Sequence, residues 1–141
     1  KDGSKKLCMD LAENLGIEKQ ITFTGLLPKK EWISLGSKSD IFINTSHVDN
    51  IPVSIIEAMA LGLPVVSTNV GGIPFFLEDG KNALLVRDND TVGMVNKIDA
   101  LLSDTHLSQL LSQNSRKTAE QYSWDIVYPK WKKVIDTYSK P

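Results

Sequence analysis

The chain is predicted to form an α/β fold, a doubly wound parallel sheet with helices on both faces. Three observations predict it. Short apolar runs alternate with helical patterns along nearly the whole length, which is the pattern of parallel βαβ units. The strand-like runs are continuous in Ile, Val and Phe rather than alternating with polar residues, as a sheet covered on both faces requires. The 141 residues suffice for one buried core and leave no room for a second domain, so residues 1–141 are expected to form a single domain.

Leu7, Leu11 and Leu15 fall on one helical stripe that Ser4 can start and Gly16 can stop. Residues 21–24, with Ile21 and Phe23, read as a strand ending at Gly25, and residues 29–37 as a short helix after Pro28. A strand over 41–44 then leads to a helix over 53–61. Pro52 can open that helix because the first-turn N–H it lacks has no helical partner anyway. Gly62 stands where a left-handed cap closes it. A strand over 64–68, a Gly71-Gly72 turn, a short helix over 75–78 and a strand over 83–86 follow. Helices over 91–103, 105–122 and 124–139 complete the chain. Trp124 reads as an anchor for the last of them.

Composition excludes several classes. A net charge of −1 and a pI near 6.1 do not provide the basic footprint of a general nucleic-acid binder. From Arg116 onward six Lys/Arg stand against three Asp/Glu, which reads as a solvated helix face. The single cysteine, Cys8, rules out an internal disulfide and suits a reducing compartment. Its place in the leucine stripe marks it as a small core residue. No apolar run reaches the roughly 20 residues that span a bilayer, and no secretory signal opens the chain. A cytoplasmic location is expected.

The densest chemical information lies between Asp49 and Ala60. Two carboxylates, Asp49 and Glu57, stand eight positions apart, the first in a loop and the second one turn into a helix. A strand, an acid-bearing loop and a helix N-terminus together make an anion site, because the first backbone N–H groups have no helical partner and the helix dipole favours negative charge. Val53 and Ser54 are placed to offer those groups. Glu57 shares their face and leans toward the same end, while Ile55, Ile56, Met59 and Ala60 supply the core. The two acids can therefore hold hydroxyls on either side of a bound phosphate. The plainer readings are an Asx turn for Asp49 and a solvated helix glutamate for Glu57.

Asp49-x7-Glu57, followed by Ala58-Met59-Ala60-Leu61-Gly62-Leu63-Pro64-Val65-Val66 and Gly71-Gly72-Ile73-Pro74, resembles the donor-binding, C-terminal half of retaining GT-B glycosyltransferases of family 4. The resemblance runs from Asp2 to the Tyr122-Ser123-Trp124 element. It implies a Rossmann-like domain that binds a nucleoside diphosphate sugar as donor substrate, with no cofactor and no obligatory metal, in polysaccharide or glycolipid synthesis. It also implies that Asp49 is the catalytic-site acid that meets the hydroxyls of the transferred sugar, that Glu57 meets the ribose, and that Asn50, Ile51 and Pro52 line the same pocket. Gly25 would flank the nucleobase, and Gly71 and Gly72 would make a turn or approach the ligand. The family's usual first acid is Glu, one methylene longer than Asp49, and an acid is usual where Phe75 stands. The resemblance further implies that the opening strand, the Arg and Lys that neutralise the diphosphate, and an N-terminal acceptor-binding domain belong to a longer enzyme, whose full length leaves room for peripheral contact with the inner membrane face. A nucleotide-sugar epimerase and a non-catalytic nucleotide-sugar binding domain are the alternatives.

Asp88-Asn89-Asp90 is a literal D-x-D, a metal-binding pattern of a different glycosyltransferase fold. Its place between a strand and Thr91 makes a helix cap the better reading. His47 reads as polar loop surface.

Overall fold

The structure is a computed structural model that describes residues 4–139. It divides into two compact units, residues 1–32 and 33–141.

The first unit holds helix α1 (Ser4–Asn14) and a 3₁₀ turn (Glu18–Gln20). Helix α1 stops as predicted. Gly16 takes φ +69°, its N–H donates to Glu13 O at 3.0 Å, and the Ile17 N–H donates to Ala12 O at 3.0 Å, a Schellman closure. Two expectations fail in this unit. The leucine stripe is exposed, with Leu7 at 70 %, and Cys8 is exposed as well; the buried residue of α1 is Ala12. An apolar stripe is a core face only where another element covers it, and the element packed on α1 within this unit is the small 3₁₀ turn. Residues 21–24 are likewise no strand. Strands exist through their ladders, and none of the described strands pairs with these residues.

Helix α2 (Lys29–Gly36) leads into the second unit, which contains β1 (Phe42–Asn44), α3 (Val53–Ala60), β2 (Val65–Thr68), a 3₁₀ turn (Ile73–Phe75), β3 (Leu84–Val86), α4 (Thr91–Ser103), α5 (Thr105–Glu120) and α6 (Trp124–Tyr138). The sheet is parallel, in the order β1-β2-β3. Phe42 pairs with Val65 and Val66 with Leu84. Successive strand residues serve opposite faces. Val65 packs with Ile55, Met59, Ile73 and Leu77, while Val66 packs with Leu84, Val86, Met94 and Leu101. Both faces of β2 are thereby covered, which is why all four of its residues are buried.

Helix α3 is fixed at its far end. Leu63 N–H donates to Ala58 O at 3.0 Å and Gly62 N–H to Met59 O at 2.9 Å, a second Schellman closure with Gly62 at φ +78°. Helix α5 then satisfies two further carbonyls there. Ser112 Oγ donates to Gly62 O at 2.6 Å and the Arg116 guanidinium to Ala60 O, a cation at the negative end of the helix dipole. The core face of α3 is Ile55, Ala58 and Met59. Ala58, rather than the predicted Ala60, completes it, and Glu57 is half-buried.

Helix α6 buries none of its described side chains. Trp124, expected to anchor it, is 69 % exposed and lies against Tyr128 of the same helix, ring centroids 5.3 Å apart. Among the described residues no helix is long and apolar enough to cross a membrane.

Candidate functional site

Three loops meet the carboxyl end of the sheet, residues 45–52 after β1, 69–72 after β2 and 87–90 after β3. Ligands of open α/β sheets sit at this end. The loop after β1 is tied to its neighbours at three points. Thr68 Oγ1, at the end of β2, donates to Ser46 O at 2.6 Å. The His47 Nδ1–H donates to Asp88 Oδ1 at 2.6 Å. The Gly72 N–H donates to Asp49 O at 2.9 Å. Beneath them Asn44 Nδ2 donates to Ser67 Oγ at 3.0 Å and Ser46 Oγ to Asn44 Oδ1 at 3.0 Å, linking the ends of β1 and β2.

The Gly71-Gly72 turn lies directly against this loop. A Cβ built on Gly71 would fall 1.9 Å from Asp49 O, and one on Gly72 1.8 Å from Asn50 O. Gly71 also has φ +54°, where side chains other than Gly are strained. The close approach at these glycines is thus to the backbone of Asp49 and Asn50. Gly25, in the first unit, has φ +66° with open space where a Cβ would stand.

With its backbone held, Asp49 is half-buried, and its carboxylate has no hydrogen-bond or ion-pair partner among the described residues. The Asx-turn alternative is thereby removed. Asn50 and Ile51 follow, exposed. Pro52 is buried and is the N-cap of α3, at φ −64° and ψ 115°; its carbonyl accepts the Ile55 N–H at 3.1 Å. The amides of Val53 and Ser54, both exposed, are left without partners among the described residues, as the first amides of a helix are. Glu57 stands one turn further along the same side of α3. The predicted group Asp49, Asn50, Ile51, Pro52, Val53, Ser54 and Glu57 is therefore contiguous, a carboxylate and two free amides at the positive end of a helix dipole.

The aspartates of the D-x-D are differently engaged. Asp90 is the N-cap of α4, its Oδ1 accepting the Gly93 N–H at 2.7 Å. Asp88 holds His47. Among the described residues no group of three or more His, Cys, Asp or Glu could hold a metal ion. Between the loops after β1 and β3 lies a cavity of about 220 Å³ lined by Thr45, His47, Thr68, Arg87, Asp88 and Thr91 among others. The sequence reading missed His47 as a structural tie because its partner is 41 residues away. It also missed that Gly72 serves Asp49. No local signal announces either contact.

A model of the family described as glycosyl transferases group 1 matches residues 2–118. Among curated proteins, the D-inositol 3-phosphate glycosyltransferase of Corynebacterium urealyticum is 31 % identical over 120 residues, which are 85 % of this chain and 28 % of that protein. The chain thus spans under a third of that relative's length. Among solved structures, the C-terminal domain of a glycosyl transferase group 1 family protein from Francisella tularensis is 28 % identical with a TM-score of 0.76, covering 85 % of this chain and 62 % of that one. HepE of Anabaena, solved in complex with UDP-glucose, is 25 % identical with a TM-score of 0.82, covering 96 % of this chain and 36 % of that one. These neighbours share the GT-B fold.

Proposed function

The chain belongs to the glycosyl transferases group 1 family, and from that premise we propose that it is the donor-binding part of a retaining, family 4 enzyme that moves a hexosyl group from a nucleoside diphosphate sugar to an acceptor hydroxyl. In the reaction the acceptor oxygen bonds to the anomeric carbon as the bond from that carbon to the diphosphate oxygen breaks, the acceptor hydroxyl's proton passes to the departing diphosphate, and the nucleoside diphosphate leaves. The observation that carries the reading is the Asp49 carboxylate, unpartnered among the described residues, in the loop that leads into the two uncommitted amides of Val53 and Ser54. A half-buried carboxylate whose oxygens no described residue holds can accept hydrogen bonds from sugar hydroxyls.

The roles follow from position. The amides of Val53 and Ser54 receive the phosphate nearest the sugar, and the helix dipole favours the charge that grows on the leaving diphosphate. Asp49 accepts hydroxyls of the transferred sugar. Glu57 accepts the ribose diol. Asn50, Ile51 and Pro52 form the wall between them. No metal or cofactor is assigned to the site. The acceptor is bound by a second domain, and the enzyme works in polysaccharide or glycolipid synthesis, cytoplasmic with peripheral contact at the inner membrane face.

Titration calorimetry of this chain with UDP and with UDP-glucose tests the reading. Binding of both is expected, with hardly any transfer to acceptors. Absence of binding to either ligand would sink the donor-site assignment, and robust transfer by this chain alone would sink the need for a second domain.

A further inference from the structure

We infer that the Gly71-Gly72 turn is a positioning element for the sugar half of the donor site, acting through the Asp49 backbone and not through contact with ligand. The inference rests on the donor-site reading and deepens it by separating what sets Asp49 from what sets the phosphate and ribose contacts.

The geometry makes the separation. The Gly72 N–H donates to Asp49 O at 2.9 Å, so the carbonyl of the sugar-facing residue is held from the loop after β2. The missing Cβ atoms are what let the two backbones meet, since a Cβ on Gly72 would stand 1.8 Å from Asn50 O and 2.6 Å from its carbonyl carbon. No real Cβ approaches backbone that closely, and backbone on both sides leaves no flexible side chain to give way. Gly72 itself has φ −88°, a conformation open to any residue. Its requirement for Gly is therefore contact with the Asn50 carbonyl and nothing else.

Helix α3 is set by different means. Its last carbonyl, of Ala60, accepts from Arg116 of α5 and the Gly62 carbonyl just beyond it accepts from Ser112, and Ile55, Ala58 and Met59 are fully buried. Val53, Ser54 and Glu57 are carried by that rigid helix. Asp49 and Asn50 are carried by the loop that the glycine turn templates. A methyl group on Gly72 must push residues 49–50 away from the turn while leaving α3 seated. Position matters here because a misplaced charged group forfeits its hydrogen bonds to the substrate.

Gly72→Ala is expected to lower affinity for UDP-glucose about tenfold, the scale of one charge-assisted hydrogen bond, and to leave affinity for UDP within about twofold. Asp49→Ala should show the same split. The double variant should lose no more than either single one, because both remove the same contact. Gly80→Ala, at φ +75° with nothing within 4 Å of a Cβ, strains its own backbone without a clash and serves as the control: it should lower the melting temperature and leave both affinities unchanged. Equal losses for UDP and UDP-glucose, or additive losses in the double variant, would overturn the inference. Amide hydrogen exchange of wild type decides it even if Gly72→Ala does not fold. The Gly72 amide should be protected, and exchange at the rate of an open loop would overturn the clamp. A wild type that binds neither ligand fails the donor-site reading, while the exchange result still decides the clamp.

Discussion

The loop after β1 and the loop after β3 carry aspartates to the same end of the same sheet, and their carboxylates meet opposite fates. Asp90 caps α4 through the Gly93 N–H and Asp88 holds the His47 imidazole. Asp49 has its backbone carbonyl bound by Gly72 and its carboxylate bound by nothing among the described residues. A carboxylate whose hydrogen bonds end inside the protein is structural, whereas the Asp49 carboxylate, on the proposed reading, accepts sugar hydroxyls. The D-x-D carboxylates are engaged within the protein, and among the described residues the Asp49 carboxylate is not.

Three substitutions break or sharpen that contrast, in falling order of effect. Glu57→Gln removes the charge that strengthens bonds to a ribose diol, worth roughly 1.5–3 kcal/mol, so affinity for UDP should fall about ten- to a hundredfold. The loss should be smaller for 2′-deoxy-UDP. Calorimetry with both nucleotides checks it, and equal losses would mean that Glu57 does not read the ribose. Asp90→Ala should cost about 1 kcal/mol of stability through the lost cap, visible as a lower melting temperature, with UDP-glucose affinity unchanged with or without Mg²⁺. A metal-dependent change in affinity would erase the distinction between the loops. Asp88→Asn should do least. The pair it breaks is exposed, with side chains 69 % and 38 % accessible, and such solvent-screened pairs contribute about 0–1 kcal/mol. A melting-temperature change larger than that of Asp90→Ala would show that the His47 tie supports the loop after β1 more than its exposure suggests.

The site and the fold were legible to different depths. Asp49, Pro52, Val53, Ser54 and Glu57 lie within nine consecutive residues, so a strand end, a loop and one helical turn were enough to bring them together. Helix α4 runs over Thr91–Ser103 as its pattern predicts, because cap and period are both local. The Gly62 stop of α3 was readable for the same reason. The contacts that hold the loop were not readable. Gly72 reaches Asp49 across 23 positions and His47 reaches Asp88 across 41, and no residue type at either end reveals its partner. A Gly-Gly pair spells a turn with equal force whether a ligand or another backbone lies against it.

What the sequence by itself determined is therefore what repeats or closes within a turn or two of chain. That includes the alternation of strands and helices, the glycine stops, the Asp90 cap and the acid-loop-helix unit around Asp49. What the tertiary structure alone decided is which surfaces meet. The stripe Leu7, Leu11, Leu15 and the residue Cys8 have the same pattern as a core face, yet they stand exposed. Residues 21–24 have the composition of a strand and no described ladder. Helix α6 carries Trp124, Tyr128 and Trp131 and buries none of them. Periodicity states that a face can be buried, since it counts side chains along one element. Burial, strand pairing and the aim of a carboxylate depend on a second element arriving opposite the first, and that is a property of the folded arrangement, not of any one segment.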